Sequence, residues 1–109
     1  MQNKTVFTCL LLLIIVYASA QNNNLYEKKL LVIKGDTMPY RLLLPENYDA
    51  TKKYPVILFL HGSGERGTDN AAQLIHGGAL FLVDSIRKNY PAFVVFPQCS
   101  TNGTWANAT

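Results

Sequence analysis

One loop in this sequence has the residue types that chemistry at a carbonyl carbon requires. His61-Gly62-Ser63-Gly64-Glu65-Arg66-Gly67 follows directly on the apolar run Val56-Ile57-Leu58-Phe59-Leu60. Hydrolysis of an ester or amide passes through a tetrahedral intermediate with negative charge on oxygen. Backbone N–H groups aimed at that oxygen stabilise it, and losing one such donor raises the barrier by about 3 kcal/mol. Glycines suit a loop of this kind because the chain can turn sharply and approach a ligand without a Cβ in the way.

The reactive side chains near the loop are few. Ser63 is flanked by Gly62 and Gly64, which invites reading it as a nucleophile. The nucleophile motif Gly-x-Ser-x-Gly needs glycine two positions before the serine, and His61 stands there. That motif occurs nowhere in the 109 residues. His61 is expected to brace the loop through its imidazole rather than to act as a base. His76, in a helical stretch, is expected at the surface or in packing. Glu65 and Arg66 fall at the expected rim, where they would contact substrate or pair with each other. Trp105 is expected to pack, with a place over the cleft or in a lid as the alternative. No metal-ligand cluster occurs, and no metal or other cofactor is expected. The loop lacks the Lys-Ser/Thr ending of a phosphate-binding P-loop and the glycine spacing of a dinucleotide fingerprint.

Stepping outward along the chain, Tyr26–Ile33 and Met38–Leu44 flank Lys34-Gly35-Asp36-Thr37, which reads as a hairpin turn between two antiparallel strands. Tyr40, Leu42 and Leu44 share one face of the second strand. Val56–Leu60 is apolar throughout, as a strand covered on both faces would be. After the glycine loop, Asp69 or Asn70 can cap a helix containing Ala71, Leu74 and Ile75. Gly77-Gly78 interrupts the helical pattern, Ala79–Lys88 resumes it, and Asn89-Tyr90-Pro91 stops it. Ala92–Phe96 is a further buried strand, ended by Pro97. The order hairpin, strand, helix, strand predicts an α/β sheet in which the last two strands are parallel and joined by a crossover.

The N-terminus has the three parts of a secretory leader: Lys4, the apolar run from Val6 to Tyr17, and Ala18-Ser19-Ala20 as a cleavage site. That run is shorter than the roughly twenty residues of a membrane span, so residues 1–20 read as a cleaved signal and not as a stable anchor. Cys9 lies within it. Residues 21–25 are a polar spacer, and 26–109 form the domain. The formal charge of +3 falls to +2 once Lys4 is removed. That excess is too small and scattered to argue for nucleic acid or an anionic membrane. Cys99 is then a lone thiol in an exported chain, either buried and free or paired with a cysteine elsewhere. Asn102-Gly103-Thr104 and Asn107-Ala108-Thr109 match the glycosylation pattern, which short polar stretches do by chance.

Leu60–Gly67, the later Val94-Val95-Phe96-Pro97-Gln98-Cys99, Trp105, and the lead-in Tyr40-Arg41-Leu42-Leu43-Leu44-Pro45-Glu46-Asn47-Tyr48 together resemble a group of secreted α/β-hydrolases. These are the phospholipase/carboxylesterase and dienelactone-hydrolase-like proteins, including feruloyl-esterase-like and polyhydroxybutyrate-depolymerase-like members often labelled predicted peptidases. The resemblance runs over about residues 26–105. It implies a serine hydrolase acting on a carboxylic ester, or on a peptide bond, with a small-molecule or polysaccharide-linked substrate. It also implies that the Ser63 backbone N–H is one oxyanion donor, with His61, Gly62, Gly64 and Gly67 shaping the loop and Glu65, Arg66 and Trp105 at the substrate rim. The second donor, the nucleophile, the acid and the histidine of the triad would all lie beyond these residues. The implied fold is therefore the N-terminal portion of an α/β-hydrolase sheet, strand order 1-2-4-3, incomplete and inactive as it stands. The alternative is a small exported α/β binding protein that uses the same fold without catalysis. In either case the third strand is expected to form an exposed apolar edge, and such edges template aggregation.

Overall fold

The computed structural model describes residues 22–107. The leader read over residues 1–20, with Cys9, and the end of the second Asn-x-Thr sequence lie outside them. No helix among the described residues is long and apolar enough to cross a membrane. Part of the polar spacer has structure: Asn23–Leu25 is a 3-10 turn whose Asn24 N–H donates to the Asn22 side chain at 3.2 Å.

Four strands form one mixed sheet: β1 (Glu27–Ile33), β2 (Asp36–Leu43), β3 (Val56–Leu58) and β4 (Phe93–Pro97), in the order β1-β2-β4-β3. β1 and β2 are antiparallel, β2 and β4 are antiparallel, and β3 and β4 are parallel. This is the expected order. The hairpin is tighter than the sequence suggested, because Ile33 pairs with Asp36 and leaves only Lys34 and Gly35 in the turn. Both have positive φ, 51° and 87°, as a two-residue type I′ connection demands. Lys34 takes up the left-handed conformation itself, which frees Asp36 and Thr37 to join the ladder.

Residues paired across a sheet share a face, so the register identifies the two faces. Arg41 and Leu43 of β2, Val94 and Phe96 of β4 and Ile57 of β3 lie together on one. Tyr40 and Leu42, Val95, and Val56 and Leu58 lie on the other. The core forms on the first face, where Tyr26, Leu43, Leu74, Val94 and Phe96 are buried and Ile57, Phe59, Phe81 and Leu82 pack against them. Phe96 is fully buried and anchors an aromatic cluster: its ring is stacked on Phe59 at 4.7 Å and meets Tyr26 and Phe81 edge-on at 5.5 and 5.8 Å. The Tyr26 hydroxyl donates to the Gly78 carbonyl at 2.7 Å, and burial raises its pKa above the ordinary tyrosine value.

One expectation fails on the second face. The third strand is not covered on both sides: Val56 is 65% and Leu58 61% exposed. The apolar character of the run reflects two potential packing faces, but the described helical elements cover only one. Tyr40, Leu42 and Leu44 share a face, as expected, and are half-buried; the buried positions of β2 are Arg41 and Leu43 on the opposite side.

The connection between β3 and β4 is less helical than its periodicity suggested. It contains 3-10 turns at Ala72–Leu74 and Leu80–Leu82 and a short helix, α1 (Asp84–Asn89). Val83, with ψ 125°, breaks the expected Ala79–Lys88 helix. Asp84 then opens α1 and pairs with Lys88 one turn on at 2.8 Å. Gly77 has a packing reason, since a Cβ there would come within 2.5 Å of the Phe59 ring.

Candidate functional site

β3 delivers the glycine loop at its C-terminal end. Sheet bonding continues one residue past the strand, with the Phe59 N–H donating to Val95 O at 2.9 Å. The chain then turns away through His61 and Gly62 into a 3-10 turn, Ser63–Glu65. The first N–H groups of a helical turn have no partner within it. The turn closes with a bond from the Glu65 N–H to Gly62 O at 3.3 Å, while the Ser63 N–H makes no hydrogen bond among the described residues. Ser63 is exposed and lines a cleft of about 120 Å³ together with His61, Gly62, Arg66, Cys99 and Trp105.

His61 is buried and both ring nitrogens are occupied. The Cys99 N–H donates to Nε2 at 2.9 Å, so Nε2 carries no proton. Nδ1 is then the protonated nitrogen and donates to the Gly62 carbonyl at 2.6 Å. With both nitrogens committed to backbone, the imidazole braces the loop and has no lone pair free for a substrate proton. Trp105 closes one side of the cleft: its indole N–H donates to His61 O at 2.8 Å, and its ring lies 4.8 Å from the imidazole.

The charged rim divides in two. Arg66 lines the cleft, donating from Nε to Ser63 O at 3.0 Å and from Nη1 to Gly103 O at 3.2 Å. Glu65 is only 8% exposed and does not line the cleft. Its carboxylate pairs with the exposed His76 at 2.9 Å, so Glu65 and Arg66 have separate partners and do not pair with each other. The backbone changes between them: Glu65 is the last residue of the 3-10 turn, and Arg66 leaves it with ψ 150°.

The loop-shaping glycines also divide. Gly67 needs to be glycine, having φ +154° and the Gln98 amide 3.4 Å from where a Cβ would stand. Gly64 has neither a positive φ nor any atom within 4 Å of such a Cβ, and Gly62 has the ordinary extended values φ −81°, ψ 178°. Their backbone conformations do not require glycine; the sharp reversal that does comes at Gly67.

A buried polar cluster behind the loop escaped the sequence reading. Gln98, 1% exposed, donates from Nε2 to Glu65 O at 3.1 Å and to Asp69 Oδ1 at 2.7 Å, and accepts from the Asn70 N–H at 2.7 Å. Asp69 Oδ1 also accepts from the N–H groups of Ala71 and Ala72 at the start of the Ala72–Leu74 turn, although the N-cap position there is held by Ala71 and not by Asp69 or Asn70 as expected. The hydrogen bond from Gln98, followed by those from Ala72 and Ala71, holds the Asp69 carboxyl below its ordinary pKa. Asn70, in the left-handed region at φ 51°, donates to Lys29 O and Tyr40 O and accepts from Gln73. Buried Arg41 donates to Asn70 O at 2.5 Å and Tyr26 O at 3.0 Å. Burial lowers its pKa, with nearby Asp69 acting in the opposite direction. The one available signal was local: a glutamine directly after an apolar strand, and an arginine inside one. Cys99 is buried with a free thiol.

Among the described residues no group of three or more His, Cys, Asp or Glu side chains could hold a metal ion. No family model and no curated protein matches the chain. A thermostable esterase of known crystal structure does, with 35% identity over 75% of this chain and a TM-score of 0.70. The match covers 23% of that esterase, so the chain spans about a quarter of its length. The mixed four-stranded sheet, with its antiparallel hairpin followed by a parallel crossover, is part of an α/β-hydrolase-like fold.

Proposed function

We propose that this chain contributes the oxyanion loop of a secreted serine hydrolase acting on carboxylic esters, small or polysaccharide-linked. The observation that carries the reading is the Ser63 N–H: it heads a 3-10 turn at the C-terminal end of a parallel strand, lines a cleft, and has no partner among the described residues. A substrate carbonyl oxygen placed against it gains a donor that strengthens as charge develops on that oxygen, which is the condition for lowering a barrier and not merely for binding. Rigidity supports the same reading, because a donor fixed before the reaction needs no reorganisation during it. His61, Arg66 and Trp105 hold the turn from three sides.

In this reading the nucleophile and the second donor lie outside the 109 residues, which contain no Gly-x-Ser-x-Gly. The chain alone is then inactive. Lys4, the apolar run and Ala18-Ser19-Ala20 support export with cleavage after Ala20. The likeness to an esterase favours ester over peptide as the bond.

Two substitutions at one position test the role. Ser63→Pro deletes the N–H, and the site tolerates proline because Gly62 is extended and Ser63 is the first residue of the turn. Ser63→Ala keeps the N–H and deletes the hydroxyl. In the product of the complete reading frame, assayed on p-nitrophenyl acetate and butyrate, Ser63→Pro is expected to lower kcat by roughly 100- to 1,000-fold. Ser63→Ala is expected to leave it within a few-fold. Inactivity of Ser63→Ala would make the side chain the nucleophile, and full activity of Ser63→Pro would remove the loop from catalysis.

A further inference from the structure

We infer that Gln98 is the positioning residue of the glycine loop: its carboxamide, reaching across from the exit of β4, fixes the turn that presents the Ser63 N–H. The word positioning rests on the oxyanion reading above; the mechanical claim does not. The strand that leads into the loop has little hold on it. After the Phe59 N–H, no backbone-to-backbone hydrogen bond of residues 60–66 returns to the sheet among the described residues, and the turn's closing bond is long at 3.3 Å. The Gln98-Cys99 pair supplies what is missing. Gln98 is tied to the middle of the sheet by its own N–H, which donates to Pro39 O at 2.9 Å. From there its side chain bonds to Glu65, Asp69 and Asn70, while the Cys99 backbone accepts from Gly67 and donates to His61. Every one of these five bonds ends on the segment from His61 to Asn70.

The chemistry of the head group is specific. Glu65 O and the Asp69 carboxylate are acceptors and need two donors; the Asn70 N–H needs an acceptor. A carboxamide offers two N–H bonds and a carbonyl in one plane, and Gln98 uses all three here. A carboxylate at the same place would set acceptor against acceptor at two contacts, and an apolar side chain would leave Glu65 O and the Asn70 N–H without their partner and remove one of the donors to Asp69.

This predicts a pattern that loss of overall stability would not produce. In the chain itself, amide hydrogen exchange followed by NMR reads loop and sheet separately. Gln98→Met is expected to raise exchange at Gly67 and Asn70 by roughly tenfold, the factor one lost hydrogen bond corresponds to, while Val94 and Phe96 keep their protection. It is also expected to shift the Ser63 amide resonance. Equal acceleration in loop and sheet, or no acceleration in the loop, would overturn the inference. Should Gln98→Met fail to fold, a polarity reversal replaces it. Gln98→Glu keeps an oxygen for the Asn70 N–H but sets its other oxygen against Glu65 O and Asp69 Oδ1, the atom that also accepts from the Ala71 and Ala72 N–H groups. Gln98→Glu is expected to raise exchange at Gly67 and Asn70 while Val94 and Phe96 keep their protection; equal acceleration in loop and sheet, or none in the loop, would overturn the inference. In the complete hydrolase, Gln98→Met should lower kcat and leave KM nearly unchanged. Exchange needs no activity, so loop-confined acceleration in Gln98→Met together with an enzyme that needs no Ser63 N–H would fault the oxyanion reading and leave this one standing.

Discussion

The covered face of the β3–β4 strand pair and the loop at its C-terminal end are held by different forces. On the covered face, Phe96, Phe59, Phe81 and Leu74 pack as an apolar cluster with ring separations of 4.7 to 6.3 Å. At the C-terminal end, where the glycine loop sits, cohesion is polar: His61, Gln98, Asp69, Asn70 and Arg41 bond side chain to backbone across strands and loop. Apolar packing is non-directional and tolerates small shifts. Hydrogen bonds fix direction, and a site that aims one N–H at one atom needs direction more than bulk cohesion. The contrast explains why polar burial is concentrated at the loop although it contributes little net stability per bond.

The sharpest break between the two regions pairs a core substitution with a loop substitution. Phe96→Ala removes the ring that Tyr26, Phe59 and Phe81 all touch, and is expected to cost about 3–5 kcal/mol of unfolding free energy. His61→Phe keeps a ring beside Trp105 but leaves the Cys99 N–H and the Gly62 carbonyl without their partner, at a cost of about 1–3 kcal/mol. Urea unfolding measures both. Trp105 fluorescence adds the discriminating readout, because it should change in folded His61→Phe and stay the same in folded Phe96→Ala. A Phe96→Ala variant as stable as the wild type would show that the aromatic cluster is not the core.

The same division decides what could be read from the residues in order. Strand order, the parallel crossover and the loop position were legible because apolar runs and glycine clusters are local signals. His61 as a brace was legible from its place beside the first glycine. Gln98 was quoted only as part of a motif, and its three bonds join residues 28 to 33 positions apart, which no periodicity encodes. Glu65 and Arg66 looked alike as adjacent charges in a loop; Glu65 ends the 3-10 turn, buried and paired with exposed His76, while Arg66, just past it, lines the cleft. The covered state of β3 was misread because an apolar run reports what a strand could bury, while Val56 and Leu58 have no described element over them.

A smaller effect separates the regions by pH. The folded pKa of Asp69 is depressed, chiefly by the bond from Gln98. A depressed carboxyl contributes stability that is fully present above its unfolded value near 3.8 and is lost as pH falls through the lower folded value. Acidification below about pH 4 should therefore weaken the loop before the aromatic core, which has no carboxylate in it. Asp69→Asn should flatten that part of the stability–pH curve and leave neutral stability almost unchanged, since asparagine caps the Ala71 turn as well as aspartate does. Stability that falls with acid just as steeply in Asp69→Asn would assign the dependence to other carboxyls.

The smallest effect on stability is expected where neither force acts. Leu58 and Val56 sit on the outer strand of the sheet, 61% and 65% exposed, and contribute to neither the aromatic core nor the polar loop. An apolar outer strand with open backbone groups on one side is a template for pairing with another chain. Leu58→Lys should change the unfolding free energy by no more than about 0.5 kcal/mol, as exposed substitutions away from packing and hydrogen bonds do. Its effect should appear in association instead: the unmodified chain is expected to sediment as concentration-dependent oligomers, and Leu58→Lys to move it toward monomer, because a charge on an outer strand opposes edge-to-edge pairing. Sedimentation velocity over a range of concentrations measures this directly. A monomer at every concentration before the substitution would mean that exposed apolar side chains at this edge do not suffice to drive pairing, and that the polar loop beside them keeps the strand's end from being extended.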